Sequence, residues 1–166
     1  PWSNEPSINS ILYVLGRIGG ERVIRLILKG NTGVNQNIDI DKAAAVLQVI
    51  GNVEILIETI ERNETFFSTV VSIKALGMIK DKRAIVPIIK VLEKGPPSIP
   101  SGRINPEYEI HSIHSNAADV LGLFGDKIAV EPLIRVLKDR KSPRLNSSLT
   151  SISYALFSLP TTPSPL

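Results

Sequence analysis

Cysteine is absent from the 166 residues. That removes disulfides, thiolate nucleophiles and cysteine metal sites together, and it fits a reducing cytoplasm, which is the compartment expected. Aromatic residues make up 5% of the chain, too few to furnish a base-stacking or sugar-stacking surface. No apolar run approaches the roughly 20 residues that span a bilayer, and nothing resembles a signal peptide, so no membrane association is expected. The formal net charge is only +3, a mild basicity well short of what nucleic-acid binding demands. No Ser/His/Asp triad signature, phosphate loop or dinucleotide fingerprint occurs. No catalytic residue and no cofactor are therefore assigned. The sequence begins at Pro1 without a methionine, which leaves room for a preceding segment.

What the chain has in abundance is aliphatic residues, and they recur. Residues 75–94 read ALGMIKDKRAIVPIIKVLEK and residues 120–139 read VLGLFGDKIAVEPLIRVLKD. The two align without a gap and share nine of 20 positions, including Leu76/Leu121, Gly77/Gly122, Asp81/Asp126 and Pro87/Pro132. Fainter copies centre on Leu15 and Leu47, and an incomplete one on Leu156, so that the anchor leucines are 32, 29, 45 and 35 residues apart. Repeats of this length signify solenoids or arrays.

Each unit reads as two helices. The first carries small and apolar residues, as in Asn116-Ala117-Ala118-Asp119-Val120-Leu121, and its glycine and alanine admit a neighbouring helix at close range. A turn such as Gly125-Asp126-Lys127 follows, with glycine suited to a helix C-terminus. In the second helix, Val130, Leu133, Ile134 and Leu137 form the i, i+3, i+4, i+7 stripe of one buried face. Pro87 and Pro132 fall in its first turn, where the missing N–H costs nothing. Asp39 or Asp41 is placed to cap the helix through Ala43. No segment shows sustained period-2 alternation. The expected fold is all-α: a short right-handed α-α superhelix of four helical pairs plus a partial fifth. It forms one domain over 1–159, with units about 8–30, 39–62, 66–94, 109–139 and 145–159, an insertion loop at 95–108 rich in proline and glycine, and an irregular tail at 160–166.

Residues 117–134, with Ala117-Ala118, Leu121-Gly122, Gly125-Asp126 and Pro132-Leu133-Ile134 at matching places, resemble the short HEAT-like repeats named after the phycobilisome lyases. Residues 75–92 match nearly as well. The resemblance is close in two units and looser in the rest, and it speaks for architecture more than for function. It implies either a scaffold or a subunit of a bilin lyase or isomerase. HEAT-like di-iron hydroxylases place His-Glu pairs at the position of His114, but Ser115 stands where the glutamate would be and the other units supply no such pair. No metal site is assigned, and His111 and His114 are read as surface or turn histidines.

Candidate binding residues come from the repeat alignment and the loop. Glu58, Lys90 and Arg135 occupy equivalent positions in three consecutive second helices, forming a ladder that runs from acidic to basic. Arg103 and Tyr108, in or beside the insertion, are residue types favoured in binding hot spots. Lys138, Arg140 and Lys141, with Arg144, form a basic cluster suited to an acidic partner or to phosphates. Tyr154 and Phe157 are expected in the core, and Trp2 over the apolar end of the first unit. The reading is a non-catalytic protein-interaction scaffold using the concave surface and the inserted loop. A protein partner is expected, a homodimer is open, and nucleic-acid binding through the C-terminal basic repeat ranks behind the lyase alternative.

Overall fold

The computed structural model describes residues 14, 17–29, 39–94, 106–138 and 146–158. The tail at 160–166, Trp2, Arg103, Arg140, Lys141 and Arg144 lie outside them. Eight α-helices are found among the described residues: α1 (Glu21–Lys29), α2 (Ile40–Ile50), α3 (Val53–Arg62), α4 (Phe66–Ile79), α5 (Ile85–Lys94), α6 (Pro106–Phe124), α7 (Val130–Lys138) and α8 (Asn146–Ser158). No strand occurs among the described residues. The chain is an all-α repeat solenoid.

The ends of the helices follow from local chemistry. Asp39, rather than Asp41, caps α2: its carboxylate accepts from the backbone N–H of Asp41 at 2.9 Å and of Lys42 at 3.2 Å. Asn52 accepts from Ile55 N–H at the start of α3, and Thr65 from Ser68 N–H at the start of α4. Such side chains satisfy N–H groups that the first turn leaves without intrahelical partners. The aligned Asp81 and Asp126 accept from the N–H of Arg83 and Ile128, opening the short 3₁₀ turns Lys82–Ala84 and Lys127–Ala129 that lead into α5 and α7. Gly125 closes α6 at φ +64°, and Lys80 takes the same left-handed conformation at φ +60° after α4. Pro87 and Pro132 are buried in the first turns of α5 and α7, where each replaces an N–H that has no helical partner.

Packing builds two layers. First helices α2, α4, α6 and α8 lie side by side, each touching the next; second helices α3, α5 and α7 do the same. Each of these second helices also packs on the first helix of the following unit, α3 on α4, α5 on α6 and α7 on α8, while α1 rests on α2 and α4. The anchor leucines Leu47, Leu76 and Leu121 are at most 1% exposed and sit in one continuous aliphatic core. Helix α4 is buried along most of its length, including Ser68, Thr69 and Ser72. Thr69 Oγ1 donates to Asn63 Oδ1 at 3.0 Å, tying α4 to the turn that precedes it.

Small residues set the spacing of the first layer. A Cβ built on Gly77 would lie 2.6 Å from Val120 Cγ2, and one on Gly122 would lie 2.7 Å from the Ala155 Cα. The helix crossings α4–α6 and α6–α8 therefore need glycine, as the repeat pattern implies.

The structure departs from the sequence expectations at three places. Helix α6 begins at Pro106, so residues 106–108, Tyr108 among them, are helical rather than part of a loop. Tyr154 and Phe157 are not core residues: they are 73% and 90% exposed. His111 and His114 lie within α6, partly buried, not on a turn or an open surface.

Candidate functional site

The second-helix layer brings the ladder Glu58, Lys90 and Arg135 to one exposed face, and it pairs every member. Glu58 accepts from Arg62 at 2.7 Å on its own helix and faces Arg25 of α1 at 3.7 Å. Lys90 reaches back to Glu61 of α3 at 3.5 Å, and Arg135 pairs with Glu93 of α5. The charges are thus neutralised from unit to unit rather than graded from acidic to basic. The acids that do this, Glu61 and Glu93, stand three residues after Glu58 and Lys90; the sequence pattern held them, but only the stacking of α3, α5 and α7 shows what they meet. Exposed pairs of this kind contribute at most about 1 kcal/mol each, so they set register more than they hold the fold.

A second junction pair lies where the layers turn. Arg83 donates to Glu54 at 2.6 Å and to Asp81 at 2.7 Å. Hydrogen bonding to Arg83 holds both carboxyls below their ordinary pKa range. In the next junction the equivalent positions carry Val86 and Ile128, 48% and 56% exposed. A charge pair between the second and third units is thus replaced by two apolar side chains between the third and fourth.

Those two residues join a row that sequence reasoning missed. Val49, Met78 and Leu123 each stand two residues after an anchor leucine and next to last in α2, α4 and α6. All three are exposed, at 70%, 42% and 67%. Consecutive units therefore present an apolar side chain at the same place on the edge where first helices turn into second helices. Its signal was already in the alignment, since an apolar residue recurs at a position that the amphipathic pattern would leave polar.

Of the remaining candidates, Lys138 is exposed at the end of α7; its basic neighbours Arg140 and Lys141 fall outside the described residues, as does Arg103. Tyr108 is in α6. A cleft of about 390 Å³ opens between α1, α3 and the start of α4, with Arg25, Lys29, Glu58, Arg62, Glu64 and Ser68 among its lining; its charges are largely engaged with each other. No group of three or more His, Cys, Asp or Glu placed to hold a metal ion occurs among the described residues, and no helix among them is long and apolar enough to cross a membrane.

His114 is chemically unusual. Both ring nitrogens are shielded from solvent and neither has a hydrogen-bond partner. Burial pushes its pKa below the ordinary 6.5, and the neighbouring His111 adds to the effect. The folded state therefore favours the neutral ring. As pH falls below about 6.5, the unfolded chain takes up this proton before the folded chain does, so stability declines until the pH passes the lower folded value. Melting curves between pH 7.5 and 5 should show the decline, and His114→Leu should flatten it while leaving the melting temperature at pH 7.5 unchanged or higher, because no hydrogen bond is lost. An identical pH slope in the variant would contradict this account.

Comparison with known families adds one finding. The family model described as PBS lyase HEAT-like repeat matches residues 71–94 and 114–139. These segments cover most of α4 with α5, and the second half of α6 with α7. No curated protein matches the chain.

Proposed function

From its architecture as a HEAT-like repeat protein, we propose that the chain is a non-catalytic scaffold that binds another protein along the edge carrying Val49, Met78 and Leu123. The observation behind this reading is the recurrence of an exposed apolar side chain at one position in three successive units. Single exposed apolar residues are ordinary, but three aligned on one edge of stacked units, with Val86 and Ile128 beside the last junction, make a row of the kind that marks an interaction surface. Packed helices lie about 8–10 Å apart, and seven residues of a helix rise about 10.5 Å. A partner helix with apolar residues at i, i+7 and i+14 therefore meets all three rungs. Three residues of an extended strand cover a similar distance of about 10 Å, but an odd step turns alternate side chains away. The proposed partner is an amphipathic helix, flanked at the third junction by Val86 and Ile128.

The triple variant Val49→Ser, Met78→Gln, Leu123→Ser alters exposed positions and should keep the fold. Proteins captured by the wild-type chain and lost by this variant are the expected partners. If the variant captures the same proteins, while Lys90→Glu with Arg135→Glu loses them, binding belongs to the charged second-helix face, where the sequence alone first suggests it, and the edge proposal fails.

A second reading draws on the matched family description. A bilin lyase subunit would change the absorption spectrum of a bilin on mixing, and unchanged spectra with several bilins would argue against it.

A further inference from the structure

One residue of the repeat does not suit its place. Gly51 and Gly125 close α2 and α6 in the left-handed conformation, at φ +72° and +64°, and Gly19, at the matching place in the first unit, has φ +72°. Lys80 closes α4 in the same conformation at φ +60°. Glycine adopts this conformation without steric cost, whereas a lysine Cβ crowds the following carbonyl oxygen. Asn63 is the other non-glycine residue with positive φ among the described residues, but asparagine is a type that tolerates it. A cation at a helix C-terminus gains something from the helix dipole, yet the matching glycines show that the repeat does not need one. Backbone strain of this kind gathers at functional sites. Lys80 stands two residues after Met78, the middle rung of the apolar edge.

Lys80 has company there. Lys82 and Lys127 match each other in the repeat and open the 3₁₀ turns that follow Met78 and Leu123. All three lysines are exposed, and none has an ion pair or a side-chain hydrogen bond among the described residues. On the second-helix face, by contrast, Arg62, Lys90 and Arg135 are each paired.

The acids of the same turns are already engaged. Asp81 and Glu54 both hold Arg83, and Asp126 accepts from Ile128 N–H. Glu131 occupies in α7 the place from which Glu54 reaches forward to the next unit, so it stands beyond the last rung. In sum the turns are close to neutral, but their acids are bound within the stack and their lysines are not. A partner meets free ammonium groups beside Met78 and Leu123. The turn after Val49, with Gly51 and Asn52, offers none.

We propose that the occupant of the apolar edge is an acidic amphipathic helix, whose carboxylates beside the contacts to Met78 and Leu123 pair with Lys80, Lys82 and Lys127. This rests on the docking edge argued above and names the charge of what docks there. Exposed ion pairs are individually weak. Three together change affinity about tenfold, and they select the partner and speed its approach more than they hold it.

Three synthetic peptides of about 18 residues serve as probes, each alanine-rich with leucine at i, i+7 and i+14. The positions flanking the leucines carry glutamate, glutamine or lysine. Fluorescence anisotropy at low salt should show the glutamate peptide binding about tenfold more tightly than the glutamine peptide, with the lysine peptide weakest, and added salt should shrink the difference. Lys80→Gly restores the residue of the matching units, so its melting temperature should be unchanged or slightly higher, while the preference for glutamate falls roughly threefold. Lys80→Gly with Lys82→Gln and Lys127→Gln should erase the preference and leave binding of the glutamine peptide as it was. Equal binding of the glutamate and glutamine peptides, both weakened by Val49→Ser, Met78→Gln, Leu123→Ser, overturns the acidic partner and leaves the edge standing. A preference that survives loss of the three lysines overturns it as well. If no peptide binds, or if binding ignores the rung variant, the edge reading itself fails and this proposal falls with it.

Discussion

Gly122→Ala should destabilise the protein by about 3 kcal/mol, in the upper part of the range seen for overpacked cores, and lower the melting temperature by roughly 6–12 °C. Helix propensity alone predicts the reverse, since alanine is favoured over glycine within a helix by about 1 kcal/mol. The steric term wins because the added Cβ would come 2.7 Å from the Ala155 Cα. That atom is backbone, so only a shift of the whole of α8 against α6 relieves the clash. Gly77→Ala is a milder case. There the new Cβ would come 2.6 Å from Val120 Cγ2 and 3.0 Å from Cγ1, both of them side-chain methyls. Removing them in the double variant Gly77→Ala, Val120→Ala should recover the propensity gain and return a favourable coupling of about 1–2 kcal/mol in a double-mutant cycle. The matching cycle of Gly122→Ala with Ala155→Gly should recover little, because the obstructing Cα remains. Urea denaturation of the four single and two double variants decides the matter. A Gly122→Ala protein within 0.5 kcal/mol of wild type would show that the first layer is looser than its geometry states.

The same glycines show how far sequence reading reaches. Gly77 and Gly122 fall at one position of a gapless internal alignment, and their role in close helix approach was readable there, as were the turn aspartates Asp81 and Asp126 and the first-turn prolines. All of these are local signals, repeated. What the sequence did not reveal depends on which unit stands next to which. Tyr154 aligns with Lys74 and Asp119, a position that is not buried even where another unit follows, whereas Phe157 aligns with the buried Gly77 and Gly122 and is exposed because no described helix packs on it there. Glu58, Lys90 and Arg135 are aligned correctly, but whether they face a partner or each other's neighbours is settled by the spacing of α3, α5 and α7. His114 shows a third limit. Its place on α6 follows from the helix pattern, while the closure of both ring nitrogens from solvent comes from packing that no local pattern encodes.

Position in the stack should also govern the cost of opening a cavity. Leu76→Ala should destabilise by about 3–5 kcal/mol, the upper part of the range for fully buried leucines. Leu76 is 0% exposed, and its helix α4 is packed by α1, α2, α3 and α6, so little can collapse into the space. Leu156 is the same anchor in the last unit, but it is only partly buried and α8 rests mainly on α6 and α7. Leu156→Ala should cost about half as much or less. In a repeat array the stability is a sum of unit terms and nearest-neighbour interface terms, so the two changes should also differ in reach. Loss at Leu156 weakens one terminal interface and should speed amide hydrogen exchange in α8 alone. Loss at Leu76 weakens both interfaces of a central unit, and against a total stability of about 5–15 kcal/mol it should raise exchange throughout α2 to α6 and bring the protein close to unfolding. Equal costs for the two substitutions, or exchange that rises everywhere for both, would mean that the stack unfolds as one cooperative block in which the terminal helix is as tightly coupled as the centre.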